Sequence, residues 1–485
     1  MDELAFSDAT TLAAKIKNRE VSSVEMLEHY VARMEKYNPD INAIIVTQLD
    51  KARTRARQAD EALARGEDWG PLHGVPMTVK ESYDIEGLPS TWGNPGLKDN
   101  IAKVDAVACE RLQGAGAVIF GKTNVPLSLA DFQSYNEVYG TTNNPHDLER
   151  GPGGSSGGSA AALAAGLTGL EMGSDIGGSI RNPAHFCGVF GHKPTWGILP
   201  MRGHALPGIL TPSDISVIGP LARSAEDLRL AMDIVQGADA IHQPGWTLDL
   251  PEPTRKSFKD YKVAVWADDT LAPVDNSVKD RVLKVAKLIE DAGGQVDFGA
   301  RPGFAAEYSH EQYTNLLHAA MSARQPEEMF EANLARRRAL APDDKSELAK
   351  VTIASSLYYR EWHQYNENRT HLRWAWHEFF KEFDILLTPM CSTAAFPHDQ
   401  NPQMGQRRVT VNNEPRFYFE QIFWAGLTGV CFLPSTIVPT GLNEQGLPIG
   451  VQIVAREMGD RYTIEFARRV AEQLGGFVAP KAFED

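Results

Sequence analysis

Cysteine is scarce in this chain. Cys109, Cys187, Cys391 and Cys431 are scattered over 485 residues without a CxxC pair. That spacing argues against a disulfide framework or a cysteine zinc site and suits reduced thiols in a cytoplasm. Long apolar runs are also missing. The best, "AAALAAGLTGLEMG", is broken by Gly and Glu and is too short to cross a bilayer. The N-terminal "MDELAFSDATT" is acidic and has no apolar h-region, so no secretory leader is expected. Positive charge is in deficit: 48 basic against 63 acidic residues give −15. A nucleic-acid or anionic-membrane binder would want the opposite balance, so neither partner is expected. Internal repeats and low-complexity tracts are absent, and His185 and His192 fit no familiar Ser/His/Asp spacing. Both histidines read as structural.

What is present is ordinary globular material. Hydrophobic residues make up 42% and charged residues 23%, and the length allows a large core. Ser22 and Glu25 have capping-box spacing, and Val24, Leu27, Val31 and Met34 recur on one face until Asn38-Pro39 ends the run. "INAIIV" (41–46) reads as a strand, 50–65 as a charged helix, and "GVPMTVK" (74–80) as a strand ending on a lysine. "AVACERLQGAG" then "AVIFGKTN" reads as helix, glycine turn and buried strand. "YKVAVW", a helix near 278–292 and "GQVDF" form another such unit, after a possible joint at 251–258. Residues 311–383 are helical, and "DILLTPM", "PSTIVPTG" and "PIGVQIVA" return to strand. Strands alternating with helices predict an α/β fold: one large mixed β-sheet covered by helices on both faces. The element order predicts a single domain over 1–485, with a helical insertion or cap at about 300–380.

Two glycine-serine loops stand out: "GPGGSSGGSA" (151–160) and "SDIGGSIR" (174–181). A phosphate cradle is one reading. The only P-loop pattern lies elsewhere, at Gly116–Thr123, and its intervening Ala-Val-Ile-Phe extends as strand rather than bending around an anion. Lys122 then merely ends a strand. A flexible linker is a second reading, but apolar runs flank both loops. A reacting carbonyl is the third. Attack by serine builds negative charge on oxygen, and successive N–H groups can meet it where glycines let the backbone turn inward. Asp175-Ile176-Gly177-Gly178-Ser179 offers such a row, ending on a hydroxyl.

These residues resemble the amidase signature hydrolases. Gly153-Gly154-Ser155-Ser156-Gly157-Gly158-Ser159 through Asp175-Ile176-Gly177-Gly178-Ser179-Ile180-Arg181 looks like that family's long glycine/serine motif, with Ser155 and Ser179 standing 24 positions apart. "GVPMTVKES" looks like its strand bearing a catalytic lysine, Lys80. "GKTNVP", "YGTTNNP", "CGVFGHKPTWG", "DILLTP" and "GLPIGVQIV" also look familial, across most of 5–250 and 380–475. The resemblance implies the amidase signature fold and a Ser–Ser–Lys triad. In it Ser179 is the nucleophile, Ser155, after a cis peptide bond, relays a proton, and Lys80 is a neutral base. It further implies that Ile176, Gly177, Gly178 and the Ser179 N–H form the oxyanion hole, that Ser156 helps orient Lys80, and that Asp175 and Arg181 hold the loop. No cofactor or metal is implied. Glu81 departs from the aspartate many members carry after the lysine.

Three functions compete on this reading. A stand-alone amide hydrolase, with carbamates or esters as side substrates, is favoured. A glutamine-hydrolysing A subunit of a tRNA-dependent amidotransferase is the alternative, and its motifs are not recognised in 300–420. A non-catalytic scaffold is disfavoured because all three triad residues are present. The expected partner is a small-molecule amide, and the expected state is a cytoplasmic monomer or homodimer. Leu129 is expected in the substrate pocket. Tyr358, Tyr359, Trp362, Tyr365, Trp374, Trp376, Phe417, Tyr418, Phe419, Phe423 and Trp424 are rings that could favour aryl or hydrophobic amides.

Overall fold

The computed structural model describes residues 3–484, so the first two residues of the N-terminal stretch read above lie outside it. The Ser22 capping box forms: its side chain accepts from the Glu25 amide, and Glu25 Oε2 accepts from the Ser22 amide at 2.8 Å. The helix that follows does not stop at Asn38-Pro39 but runs Ser23–Ile41. Asn38 explains the difference. Its carbonyl accepts from the Asn42 amide, and its side chain takes the Ala43 and Ile44 amides at 2.9 Å each. This cap carries the helix two residues past the proline, to Ile41, and the strand begins later, at Ile44–Thr47.

Two sheets organise the chain. The smaller has three strands in the order Ile44–Thr47, Val118–Thr123, Pro76–Lys80. Its last two strands are parallel, with Lys80 opposite Thr123. The stretch with P-loop spacing is therefore a buried strand, as its apolar residues require. The larger sheet has eight strands, in the order Gln295–Asp297, Lys262–Val265, Ile385–Thr388, Pro448–Val454, Ser435–Leu442, Phe190–Lys193, Val217–Ala222, Glu171–Asp175. It is mixed: its first three strands are parallel and every later pairing is antiparallel. The fold is thus α/β, a large mixed sheet with many helices.

The stretch around 300–380 forms four helices, Ala306–Ser322, Glu327–Ala339, Glu347–Ala354 and Tyr359–Glu382. Tyr313, Leu316, Leu372 and Trp376 from these helices share an apolar cluster with Leu386, Ile449 and Val454 of the sheet. The first and last of these helices are therefore packed into the body of the protein, whereas Glu327–Ala339 buries none of its residues. Among the described residues, no helix is long and apolar enough to cross a membrane.

A hairpin absent from the sequence reading pairs Arg408–Val411 with Glu414–Phe417. Asn412 and Asn413 turn it at φ 49° and 68°, the left-handed geometry that two-residue hairpins favour. Arg407 precedes it and is buried. Its guanidinium reaches Asp131 Oδ2 and the Tyr135 hydroxyl at 2.6 Å each, while the Tyr418 hydroxyl donates to Asp131 Oδ1 at 2.6 Å. Removing one member of a buried ion pair leaves the other uncompensated. Arg407→Ala is therefore expected to lower unfolding free energy by about 3–5 kcal/mol. The double variant Arg407→Met/Asp131→Asn should lose clearly less, as measured by chemical denaturation.

Candidate active site

Lys80 closes the strand Pro76–Lys80, every residue of which is buried. Strand alternation puts Thr78 and Lys80 on one face. The Lys80 ammonium donates to Ser155 Oγ at 2.6 Å and to Ser174 Oγ at 3.0 Å. Both partners are neutral hydroxyls, which compensate lost water only weakly. Burial therefore drives the lysine down to about 7, against the opposing pull of Asp175, Glu171 and Glu81.

The first glycine-serine loop enters the helix Gly157–Ala164 through a cis Gly154–Ser155 peptide. Gly154 has no room for a side chain: a Cβ there would lie 2.3 Å from the Asp131 carbonyl. The Ser156 amide donates to the Ser179 carbonyl at 3.0 Å, which ties the two loops together. The Ser156 hydroxyl does not reach Lys80 as expected. It bonds the Ser174 amide and carbonyl, each at 3.3 Å, and Ser174 presents its own hydroxyl to the lysine. Sequence reasoning missed Ser174, although its neighbourhood to Asp175 in the second loop was a usable signal.

Asp175 frames the second loop. Its carboxylate accepts from the Gly178 amide at 2.9 Å, the Ile180 amide at 3.1 Å and the Arg181 amide at 3.3 Å. It also pairs with the buried Arg181 guanidinium at 2.8 Å. Burial alone would raise this carboxyl; Arg181, Lys193 and the Gly178 amide outweigh that and hold it at about 2. Of the four amides expected to line an oxyanion hole, Gly178 is thus already engaged by Asp175. Those of Ile176, Gly177 and Ser179 donate to no described residue. Ile176 and Gly177 are partly exposed, and Ser179 keeps 7% of its surface.

Around this centre lie further buried ionisable groups. Glu171, opposite Leu221 in the large sheet, accepts from the Thr78 hydroxyl, and burial pushes it up to about 8. Glu81 accepts from the Thr91 and Trp92 amides at 2.5 and 2.9 Å, so this departure from the family's aspartate anchors the following loop. Lys122 is buried rather than solvated and donates to Ser90 Oγ at 3.0 Å and to the Pro89 carbonyl. His185 bonds Gly450 and Thr393, and His192 bonds Thr436 and Asp460, so both serve the framework. Leu129 sits half-buried in a short 3-10 turn with positive φ.

The aromatic residues divide. Trp376, Tyr418, Phe423 and Trp424 are core; Trp362, Tyr365, Phe417 and Phe419 are half-buried; Tyr358, Tyr359 and Trp374 are exposed. The side chains that meet the Ser179 loop are instead Tyr313 and Ile422 beside Gly177, and Met390 and Ala425 beside Gly178.

The family described as Amidase matches residues 25–464. An indoleacetamide hydrolase of Bradyrhizobium diazoefficiens is 32% identical, covering 98% of this chain and 88% of its own. The A subunit of a glutamyl-tRNA(Gln) amidotransferase from Heliobacterium modesticaldum is 31% identical, covering 94% of both. Among solved structures, 6-aminohexanoate cyclic dimer hydrolase with its substrate superposes with a TM-score of 0.78 at 26% identity, over the full length of both chains.

The two buried lysines should separate experimentally. Lys122→Met strips a donor from the Pro89 carbonyl and from the buried Ser90 hydroxyl and is expected to cost about 1–3 kcal/mol of stability. At a temperature where both variants are folded, Lys80→Met should lose roughly two to four powers of ten in turnover. Lys122→Met should stay far closer to the parent. Steady-state kinetics beside thermal melts check this.

Proposed function

This chain belongs to the amidase signature family and is an amide-hydrolysing enzyme, and from that premise we propose that it works through a Ser179 acyl-enzyme with a Ser155–Lys80 proton relay. The observation that carries the proposal is the 2.6 Å hydrogen bond between the buried side chains of Lys80 and Ser155. A lysine held at about 7 is half neutral near neutral pH and can accept a proton. Ser155 passes its proton to neutral Lys80 and takes one from Ser179, which attacks the amide carbonyl. The resulting oxyanion is met by the amides of Ile176, Gly177 and Ser179. The proton returns through Ser155 to the leaving nitrogen, the C–N bond breaks, and water then releases the acyl group by the same relay. Asp175 and Arg181 keep the loop in shape without touching substrate.

The substrate class proposed is an aryl or hydrophobic amide, with carbamates or esters as side activities because each forms the same tetrahedral oxyanion. Ile422, partly exposed beside Gly177, gives the acyl site an apolar wall. The 32% identical relative named for indoleacetamide supports the same class. The 31% identical amidotransferase subunit supports the second reading, glutamine hydrolysis within a complex. Assaying the isolated chain separates them. kcat/KM for a nitroacetanilide and for indoleacetamide should exceed that for acetamide and glutamine, and the reverse order would favour the second reading.

Two further outcomes are expected. A fluorophosphonate probe should label Ser179, and Ser179→Ala should abolish both labelling and turnover; a label on Ser155 or Ser156 would reverse the assignment. The acylation rate should rise with pH through about 7 and then level off, because protonated Lys80 cannot accept a proton and its folded value lies far below the ordinary 10.5. A rate that is flat from pH 6 to 9 would contradict the relay.

A further inference from the structure

We propose that Tyr313 is a positioning residue for this reaction: its hydroxyl pins the Ile176 carbonyl and so aims the Gly177 amide at the oxyanion. The proposal rests on the Ser179 reading. It gives the helical stretch near 300–380 a part in the chemistry.

The geometry is direct. Tyr313 lies on the helix Ala306–Ser322, is fully buried, and donates to the Ile176 carbonyl at 3.2 Å. Burial pushes its phenol well up, so it stays protonated and remains a donor across the working pH range. The Ile176–Gly177 peptide is trans, since the one cis bond among the described residues is Gly154–Ser155. In a trans unit the carbonyl and the N–H point in opposite directions on one rigid plane. A hydroxyl that fixes the carbonyl therefore fixes the Gly177 N–H on the far side. Asp175 pins the neighbouring plane through the Gly178 amide at 2.9 Å. The Gly177 amide is thus set from both sides, by a phenol on one plane and a carboxylate on the next. A donor oriented in advance stabilises the transition state without reorganising, which is where such donors gain their strength.

The ring itself is clamped. A Cβ on Gly426 would lie 2.2 Å from Tyr313 Cδ1, so the helix Ile422–Gly429 leaves a slot that only glycine permits. The same helix brings Ile422 against Gly177, 3.5 Å from where a Cβ would stand, with the Tyr313 hydroxyl at 3.2 Å.

The test is Tyr313→Phe, which keeps the ring in its slot and removes only the hydroxyl. Removing an oxyanion donor outright costs roughly two to three powers of ten in kcat; misaiming one is expected to cost about ten- to a hundredfold. KM should change by less than about twofold, and the melting temperature by a few degrees at most. The inhibition constant of a trifluoromethyl ketone, which forms an oxyanion on the attacking serine, should rise in proportion to the loss of kcat/KM. 4-Aminophenylalanine at position 313, which retains a donor, should recover most of the loss. If Tyr313→Phe does not fold, 4-methylphenylalanine, of similar shape without a donor, is read in its place. Parent-like kcat and ketone affinity in the non-donor variant, with the parent labelled by fluorophosphonate at Ser179, would overturn the role of Tyr313 alone. Labelling of the parent at another serine would overturn the Ser179 reading and this inference together.

Discussion

Everything at this site depends on keeping one ammonium group out of water. Lys80 is sealed at the end of a buried strand, and its hydrogen bonds go to the hydroxyls of Ser155 and Ser174. Desolvation is the largest influence on its proton affinity, and three carboxylates oppose it only in part. One of them, Asp175, is committed to Arg181; another, Glu171, is itself pushed up to about 8 by burial. A carboxylate fully charged and bonded to Lys80 would restore the ordinary lysine range and remove the base. The polar groups of the site are thus arranged so that charge compensation goes to Arg181 and not to Lys80.

The second constraint is the shape of the Ser179 loop. A run of glycines alone is floppy, and successive amides would scatter. Here Asp175 gathers three amides, the Ser156 amide holds the Ser179 carbonyl, and Tyr313 holds the Ile176 carbonyl. Each bond removes one rotation from a loop with little side-chain packing of its own. The buried Arg407–Asp131 pair extends the scaffold outward, because the Asp131 carbonyl crowds Gly154 beside the cis bond.

How much of this was legible in the sequence depends on range. Local signals read well: the Ser22 capping box, the strand ending on Lys80, and the strand hidden in the Gly116–Thr123 pattern all follow from spacing and side-chain type. Lys80 and Ser155, 75 positions apart, were associated by family resemblance, since no local pattern joins residues so distant. Long-range partners were invisible. Ser174 was passed over for Ser156 because both are small hydroxyls in glycine-rich loops, and only the packing of strand on loop decides which one faces the lysine. Gly178 was counted as an oxyanion donor because sequence shows a row of amides but not where a nearby carboxylate turns. The ring-rich helices suggested a lined pocket, yet Trp376 and Trp424 are core while Tyr359 and Trp374 face water, because a helix of mixed periodicity does not announce which side it buries. The Pro39 misreading had a local cause, since a proline in a last turn is tolerated when a residue such as Asn38 caps beyond it.

The central claim is that the buried Lys80 is neutral in the working enzyme, and the most direct measurement is its own titration. In protein labelled with 13C at lysine Cε, the Lys80 resonance can be assigned by its loss in Lys80→Met and followed with pH. The account predicts a midpoint near about 7, more than three units below the ordinary 10.5. A Lys80 that stays charged until pH 10 would contradict it.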